Sequence, residues 1–429
     1  MAEFKTLRIG SRGPMVELLQ LALVRAGFGP LALDGVFGQN TAAAIRRFQS
    51  SAGIARDGIV GSATWKALRP YLYGYSTATI RSGDTLYRLA SRFGTTVKAI
   101  ETANPGLDPF NLRIGAKIAV PLGFELVPAG ISFTSTVLEC CVEGLKVRYP
   151  FLDTGSIGRS VAGTPIRYLA IGSGDTEIFY NASHHANEWI TSPLLMKFLE
   201  NYCISYALDR DILPTSAQTL YESATLYIVP MVNPDGVDLV TGLIDSGRYF
   251  TRAQTLAANY PSIPFPDGWK ANISGVDLNL QYPAGWENAR EIKFSQGFTK
   301  PGPRDYVGSA ALAAPESRAV YDFTLIHDFA LTISYHTQGE VIYWKYLDYE
   351  PPRSRAIALE FASLSGYTVT ETPYESGYAG YKDWFIYKYL RPGYTIEAGL
   401  GTPPLPISDL GQIYDANLGI LTYGLTALG

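Results

Sequence analysis

The spacing of hydrophobic residues changes near residues 74 and 123 and so divides the chain into three stretches. In the first stretch apolar residues recur at helical spacing, and Pro14 stands at a favourable first helical position. These apolar residues are Val16, Leu19, Leu23 and Ala26, then Ala44, Ile45 and Phe48, then Trp65 and Leu68. Two nearly identical Asp-Gly turns, at 33–38 and 56–61, separate the segments. Residues 1–73 are therefore predicted to form a small all-α domain of three helices.

The second stretch, residues 75–122, is predicted to fold as a compact βααβ unit. A short strand at 77–81 leads into a helix that Asp84 is placed to cap. A second helix and a returning strand at 117–120 complete the pattern.

The third stretch, from about residue 125 to residue 429, alternates strand-like and helix-like segments. The strand-like segments are 166–171, 177–181, 225–231, 331–335, 341–344 and 394–397. The helix-like segments are 192–206, 315–327, 353–364 and 411–423. This alternation predicts an α/β domain with a mixed, mostly covered sheet, in which ligand sites form at strand ends.

Composition and charge narrow the possible partners. A chain of 429 residues is too long for one ordinary domain, which favours a multidomain protein. The formal net charge of -4 argues against nucleic acid as a partner. Because no run of about 18 apolar residues occurs, we expect no membrane span. The first six residues also lack the apolar core of a secretory signal, and three cysteines predict no disulfide framework.

Residues of the types that bind metals stand where predicted strands end. His185 and Glu188 follow one strand-like segment, and His336 closes another. A catalytic zinc site has three protein ligands, commonly imidazole and carboxylate, plus a water. The pattern favours such a site, although His185 and Glu188 alone are as typical of a polar helix start. His184 should face the opposite way from its neighbour, because adjacent side chains in an extended segment point oppositely. His327 is expected to be an ordinary packing or surface histidine.

The first two domains resemble bacterial wall-binding modules. Residues 1–73 carry Gly-x-x-Gly-Pro-x-Val-x-x-Leu-Gln and the two Asp-Gly turns, and they resemble the three-helix peptidoglycan-binding domain. Residues 75–122 carry Ser-Gly-Asp-Thr-Leu-Tyr-Arg-Leu-Ala and resemble a LysM domain. The second resemblance implies binding of glycans that contain N-acetylglucosamine. It places glycan-binding candidates in the loop formed by Gly83, Asp84 and Thr85.

The third domain, residues 125–429, resembles the zinc carboxypeptidase family, whose fold is carboxypeptidase A-like. The motifs that carry the resemblance are His185-Ala186-Asn187-Glu188-Trp189, Asn233-Pro234-Asp235-Gly236, Gly275-Val276-Asp277-Leu278-Asn279, Ser334-Tyr335-His336 and Thr395-Ile396-Glu397-Ala398-Gly399. The resemblance implies one Zn²⁺ per chain, held by His185, Glu188 and His336.

The same resemblance implies further roles. Glu397 matches the catalytic glutamate, which takes a proton from water and later gives it to the leaving amine. Lys270 stands where the family usually has an arginine and would stabilise the developing oxyanion; the alternative is an exposed loop lysine. Asn279 matches the substrate-binding asparagine. Tyr374, with Tyr378 as second choice, matches a tyrosine that hydrogen-bonds substrate.

One departure from the family bears on the substrate. Family exopeptidases follow the substrate-binding asparagine with an arginine that clamps the terminal carboxylate, but here Leu280 follows it. This departure resembles the γ-D-glutamyl-L-diamino acid endopeptidase I branch. It implies hydrolysis of the γ-D-glutamyl–meso-diaminopimelate bond of peptidoglycan stem peptides, a substrate that the wall-binding modules also favour. The alternatives are a zinc metallocarboxypeptidase that trims C-terminal residues and a non-catalytic cell-wall-binding protein.

The expected location follows from the same resemblance. We expect a bacterial protein associated with the spore or the cell wall after release during sporulation or mother-cell lysis. Cytoplasmic recycling of wall fragments is the alternative. The sequence indicates no oligomeric state.

Overall fold

The computed structural model describes residues 4–428, and the chain forms two compact units, residues 1–153 and 154–429. Residues 1–3, which belong to the six-residue segment considered above as a secretory signal, lie outside the described residues. The first unit contains α1 Pro14–Arg25, α2 Gln39–Ser51, α3 Ser62–Tyr73, β1 Tyr75–Thr79, α4 Leu86–Phe93, α5 Val97–Ala103, β2 Lys117–Pro121 and α6 Ser135–Arg148.

The predicted three-helix arrangement is confirmed by α1, α2 and α3, and two buried glutamines hold its Asp-Gly turns in the same way. Gln20 donates to Asp34 Oδ1 at 2.8 Å, and Gln49 donates to Asp57 Oδ1 at 2.9 Å. Each glutamine accepts the N–H of the glycine that follows this aspartate, at 3.0 and 2.9 Å. Each amide group also reaches a backbone carbonyl and a threonine hydroxyl. The two turns are therefore structural copies built on one polar network.

The predicted βααβ unit is also present, with β1 and β2 paired antiparallel. The prediction that Asp84 caps α4 was wrong. Thr85 is the capping residue, since it is extended and its hydroxyl accepts the N–H of Arg88 at 3.2 Å. The Asp84 carboxylate instead accepts the N–H of Arg81 at 2.8 Å and closes the loop before the helix.

Helix α6 packs against α3 within the first unit. The buried Arg148 at its end donates to the carbonyl groups of Gly74, Leu122 and Phe124. These bonds fasten α6 to the residue between α3 and β1 and to the segment that follows β2. The start of the third domain at residue 125 and the other domain boundaries remain predictions.

The second unit alternates strands and helices. In chain order they are β3 Asp153–Arg159, β4 Pro165–Ile171, β5 Thr176–Ala182, α7 Thr191–Ala207, β6 Asp211–Ile212, β7 Thr215–Ser216, α8 Ala217–Ser223, β8 Ala224–Val229, α9 Pro234–Val240, α10 Gly247–Ala257, α11 Trp286–Ser295, α12 Pro315–Leu325, β9 Leu331–His336, β10 Val341–Tyr343, α13 Ser354–Ser365, β11 Thr368–Thr370, α14 Tyr381–Tyr389, β12 Gly393–Glu397 and α15 Leu410–Tyr423. Each segment predicted after residue 125 is present within two residues of its predicted bounds.

An eight-stranded mixed sheet forms the centre of this unit, in the order β11-β10-β12-β9-β5-β8-β4-β3. Strands β12, β9, β5 and β8 are parallel to one another, whereas β10 and β4 run antiparallel to them. The predicted α/β class with a mixed sheet is therefore confirmed. Because the four central strands point the same way, their carboxyl ends meet at one edge.

The remaining sequence expectations concern membranes and cysteines. The described helices, over residues 4–428, are too short or too polar to cross a membrane. Cys140, Cys141 and Cys203 are buried free thiols, and burial raises the pKa of Cys140 to about 12. They therefore serve as small apolar core residues.

Candidate metal centre and active site

Four candidate side chains lie at the carboxyl edge of the central parallel strands. After β5 the chain passes through His185 into a 3₁₀ turn, Ala186–Glu188. Strand β9 ends on His336, and its register partner at the end of the neighbouring β12 is Glu397. The sheet therefore presents His336 and Glu397 side by side.

His185, Glu188 and His336 converge on one point. Glu188 Oε1 lies 2.9 Å from His185 Nδ1, and Glu188 Oε2 lies 2.8 Å from His336 Nδ1. The two imidazole Nδ1 atoms are 3.1 Å apart. All three side chains are buried, and their ligand atoms lie within 4.8 Å of one another.

This arrangement fits a divalent cation. Two ring nitrogens and a carboxylate, each a metal ligand when deprotonated, meet at one point, and a divalent cation placed there would bind all three. Two imidazoles and one carboxylate are also the ligand set of catalytic zinc sites. Among residues 4–428 it is the one group of three such side chains close enough to share an ion.

Asp277 orients one of these imidazoles. His185 Nε2 donates to Asp277 Oδ1 at 3.1 Å, so the Nδ1 lone pair faces the cluster. Burial raises the pKa of Asp277, but its interaction with His185 outweighs burial and holds the pKa below its usual range. Asp277 Oδ2 accepts the N–H of Asp305 at 3.2 Å. The carboxylate is therefore fixed from both sides.

The two remaining histidines lie outside the cluster. His184 Nε2 lies 2.9 Å from the hydroxyl of Tyr282, on the opposite side from its neighbour, as side-chain alternation predicts. Burial, and then the nearby His336, hold the pKa of His184 well below its ordinary value. His327 pairs with Glu177 at 2.9 Å.

Lys270 stands beside the cluster, with Nζ 3.2 Å from Glu188 Oε1. Its carbonyl accepts the N–H of Ala186 at 2.9 Å, and Asn233 donates to the carbonyl of Ala271 at 3.0 Å. These bonds fix the Lys270 backbone against the turn that holds the ligands. Burial lowers the pKa of Lys270, but the Glu188 carboxylate outweighs it and raises the pKa, so the side chain stays cationic.

Glu397 carries a carboxyl group suited to proton transfer. Burial, and then the negative charge of Glu188, raise the pKa of Glu397 to about 8. A pKa raised in this direction is what a carboxyl group needs for general acid–base catalysis near neutral pH.

Of the two predicted substrate-binding residues, the structure brings only Asn279 to the cluster. Asn279 Oδ1 accepts the N–H of Tyr381 at 3.0 Å, and its Nδ2 lies 3.4 Å from His336 Nε2. Tyr374 is 66% exposed, and its ring packs edge-on against Tyr378. Neither tyrosine lines the two cavities at the cluster. Ser376, from the same loop, lines the smaller one.

Two cavities adjoin the cluster. One, of about 490 Å³, is lined by Asn279 and Leu280, and the other, of about 820 Å³, is lined by Glu397. Lys270 and Arg304 line both. A substrate bound at the cluster therefore has two adjoining cavities to occupy.

The proposed glycan-binding residues take part in the LysM loop itself. Arg88 donates to the carbonyl of Gly83 at 2.8 Å, while Asp84 and Thr85 make the bonds described above. The large apolar side chains exposed in this module are Tyr87, Phe110 and Ile114.

Comparison with known families establishes the relationship. The zinc carboxypeptidase family matches residues 139–404, a putative peptidoglycan binding domain matches 12–68, and a LysM domain matches 78–121. The chain is 44% identical over 306 residues to gamma-D-glutamyl-L-diamino acid endopeptidase 1 of Lysinibacillus sphaericus, which covers 71% of this chain and 75% of that protein. The chain belongs to the zinc carboxypeptidase family.

Another sequence relative and two solved structures support the assignment to the zinc carboxypeptidase family. Uncharacterized protein YqgT of Bacillus subtilis is 41% identical over 276 residues, covering 64% of this chain and 72% of that protein. Bovine thrombin-activatable fibrinolysis inhibitor, solved with tick carboxypeptidase inhibitor, matches with a TM-score of 0.53 and 18% identity over 69% of this chain and 97% of that one. Carboxypeptidase A of Helicoverpa armigera gives a TM-score of 0.51 and 18% identity, over 70% and 76%. The carboxypeptidase A-like fold is therefore confirmed, and zinc is the cofactor of the family.

Two charged residues of this zinc carboxypeptidase site were not identified from the sequence. Asp277 stands in a motif used for the resemblance, and an acid two positions before Asn279 is the signal that would have found it. Its role depends on His185, 92 positions away. Arg304 has no periodic or motif signal, because only the fold brings its loop to the cluster.

Proposed function

We propose that this chain is a zinc-dependent endopeptidase that hydrolyses the bond between γ-D-glutamate and an L-diamino acid, such as meso-diaminopimelate, in peptidoglycan stem peptides. The observation that carries the proposal is Leu280, which lines the smaller cavity where a family exopeptidase places its carboxylate-binding arginine. An apolar side chain cannot pair with a terminal carboxylate. The name of the Lysinibacillus relative supports the same reaction.

His185, Glu188 and His336 are proposed to hold one Zn²⁺. When bound, zinc supplies a Lewis acid and lowers the pKa of water to about 7. Asp277 contributes by accepting the Nε2 proton of His185, which leaves Nδ1 free as a ligand atom.

Glu397 is proposed to be the general base and then the general acid. It lines the larger cavity next to Glu188, and its raised pKa allows it both to accept and to release a proton near pH 7. Its carboxylate takes a proton from the attacking water and passes that proton to the departing amine.

Lys270 is proposed to neutralise the oxyanion that forms when water attacks the carbonyl. It lines both cavities, and its ammonium group lies 3.2 Å from Glu188, at the edge of the metal cluster. A positive charge already fixed where negative charge develops stabilises the transition state more than the ground state.

Asn279 and one tyrosine are proposed to bind substrate. Asn279 lines the smaller cavity and is held by the N–H of Tyr381. We propose that Tyr374, or else Tyr378, reaches substrate only after the loop around Ser376 moves, because both rings lie outside the cavities at the cluster.

Peptidoglycan is the partner of the first unit, which carries the peptidoglycan-binding and LysM matches. We propose that glycan contacts involve Gly83, Asp84 and Thr85, and that exposed Phe110 offers a ring for sugar packing. Tethering raises the concentration of the enzyme on an insoluble polymer. Association with the cell wall follows, and a spore location is proposed.

Mass spectrometry of a purified muropeptide treated with the protein tests the proposed reaction. We expect one product that ends in γ-D-glutamate and one that begins with the diamino acid, and a chelator should prevent both. Release of only C-terminal amino acids from simple peptides would instead show a metallocarboxypeptidase. Sacculus binding without any cleavage would show a non-catalytic wall-binding protein.

A further inference from the structure

Arg304 presents unused hydrogen-bond donors beside the catalytic centre. Its side chain is 43% exposed and lines both cavities. Its Nε donates to Asp305 Oδ2 at 2.6 Å, and its two terminal amino groups have no acceptor among residues 4–428. A guanidinium group has five N–H donors in a planar fork that matches a carboxylate. The four N–H groups on the terminal nitrogens of Arg304 are therefore available to a ligand in the cavities.

The position of this fork is coupled to the metal cluster. Asp305, which holds Arg304 Nε, is itself held by Lys293 Nζ at 2.8 Å. The Asp305 N–H donates to Asp277 Oδ2, and Asp277 Oδ1 binds His185. Asp305 has a left-handed backbone, with φ of 62°, a conformation that aspartate adopts more readily than most other non-glycine residues. Because the Asp305 carboxylate holds its Nε, Arg304 loses less side-chain entropy on binding a ligand than an unpaired arginine would.

Lys270, Lys293 and Arg304 each have one acidic partner, and Arg304 uses only its Nε for that bond. Lys270 lies beside Glu188, and Lys293 is paired with Asp305. Leu280 contributes no charge. Arg304 is therefore the cation of these cavities whose terminal donors remain available for an anion.

We propose that Arg304 binds a substrate carboxylate next to the scissile amide, namely the free α-carboxylate of the γ-linked glutamyl residue. This inference rests on the proposed function. A γ-linkage leaves the glutamyl α-carboxylate unused, at the end of a short aliphatic arm from the reacting carbonyl. Most α-peptide bonds have no carboxylate at that separation, and the exception is the bond after an α-linked glutamate, where the side chain supplies one. Arg304 and Lys270 line the same two cavities, so a carboxylate on a short arm from a carbonyl beside Lys270 lies in the space that the guanidinium also borders. Arg304 thereby favours γ-glutamyl bonds over α-peptide bonds that lack such a carboxylate.

The test pairs Arg304→Met with two changes to the substrate. Wild type and variant are assayed on alanyl-γ-D-glutamyl-diaminopimelate, on its glutamyl α-carboxamide, and on its carboxamide at the diamino acid. We expect Arg304→Met to lower kcat/KM about 10- to 100-fold on the parent peptide, as loss of a charge-assisted bond does. On the glutamyl carboxamide the variant should equal the wild type within about threefold, because the carboxamide already lacks the interaction.

Controls separate this role from a structural one. Arg304→Lys keeps the charge without the fork and should recover part of the lost rate. Arg318→Met removes an exposed arginine that pairs with Asp322 and should change no rate. An equal loss on all three peptides would show that Arg304 only supports the fold and would overturn the proposal.

Two further outcomes have distinct meanings. If the effect of Arg304→Met disappears on the diamino acid carboxamide instead, Arg304 binds the leaving-group carboxylate and the assignment to glutamate is overturned. If the wild type cleaves none of the three peptides, the proposed endopeptidase function itself fails.

Discussion

Buried polar side chains serve opposite purposes in the two units. In the three-helix module the amides of Gln20 and Gln49 find acceptors for their N–H groups and a donor for their oxygen. In the metal centre the Glu188 carboxylate and two imidazole Nδ1 atoms, all of them metal-ligand atoms, meet at one point. Burial is similar in both places, but in the metal centre acceptor atoms predominate, with Lys270 and the N–H of Thr337 as donors at its edge.

This difference separates polar groups that stabilise the fold from those that bind an ion. A balanced network rigidifies the turns and needs nothing further. An excess of acceptors is unfavourable until a cation enters, so the fold keeps it only where binding compensates. The balance of donors and acceptors therefore identifies the functional cluster better than burial does.

Removal of the metal should have the largest effect. We expect a chelator to abolish hydrolysis and added Zn²⁺ to restore it. The thermal midpoint should fall as well, since an ion at about 100 times its Kd stabilises the native state by about 2.7 kcal/mol. Activity assays, metal analysis and calorimetry measure this, with zinc-saturated chelator as the control. Full activity in metal-free protein would contradict the claim that the His185, Glu188 and His336 cluster differs from the glutamine network by requiring a metal ion.

Glu397→Ala should come next, with kcat lower by about 10²- to 10⁴-fold while zinc content and sacculus binding stay unchanged. The reason is that Glu397 moves the proton but is not among the three proposed ligands. Glu360→Ala, on the exposed face of α13, is the matched control. If the Glu397 variant hydrolyses muropeptide at the wild-type rate, another group is the base.

Gln49→Ala tests the balanced network. Loss of the amide leaves the Asp57-Gly58 turn without its partner, so the free energy of unfolding should fall by about 2 kcal/mol. Calorimetry measures the loss, and hydrolysis of soluble peptides should not change. Gln20→Ala should behave alike, because its turn is a copy. Exposed Gln39→Ala is the control, and a similar loss there would contradict the network's importance.

Glu316 is an intermediate case, because its carboxylate accepts the N–H groups of Asn272 and Val161 but has no cationic partner within the described range 4–428. Burial raises the pKa of Glu316 to about 7. In the unfolded chain the same group ionises near pH 4.5, so its contribution to stability should fall between about pH 4.5 and 7 and then level off. The fall is about 3 kcal/mol at most.

Glu316→Gln should flatten this part of the pH profile, whatever it does to absolute stability. Urea unfolding at several pH values measures the slope. The exposed Glu291→Gln on α11 is the control. An unchanged slope in the Glu316 variant would show that another group causes the pH dependence.

The sequence predicted features that depend on local patterns. Helix and strand segments followed from apolar spacing, and His185 and Glu188 share one turn, so their proximity is local. His336 lies at the same point because β5 and β9 pair in parallel. The sequence made this proximity a reasonable prediction, since His185 and His336 both follow or end strand-like segments.

Features that depend on distant contacts were not predictable. The bond between Asp277 and His185 and the position of Arg304 arise from loops that only the complete fold brings together. Asp84 looked like a helix cap because aspartate favours that position, but Thr85 stands next to the first helical residue and takes the role. Tyr374 matched a motif, yet loop geometry places its ring in solvent.

The presence of two cavities at the cluster has a consequence for how a cross-linked mesh would be dismantled. A centre with space for substrate in two cavities, and with Leu280 in place of a carboxylate clamp, needs no free terminus, so any suitable bond in the network is an equal starting point. Early digestion should then release large fragments of the wall rather than single amino acids or single muropeptides.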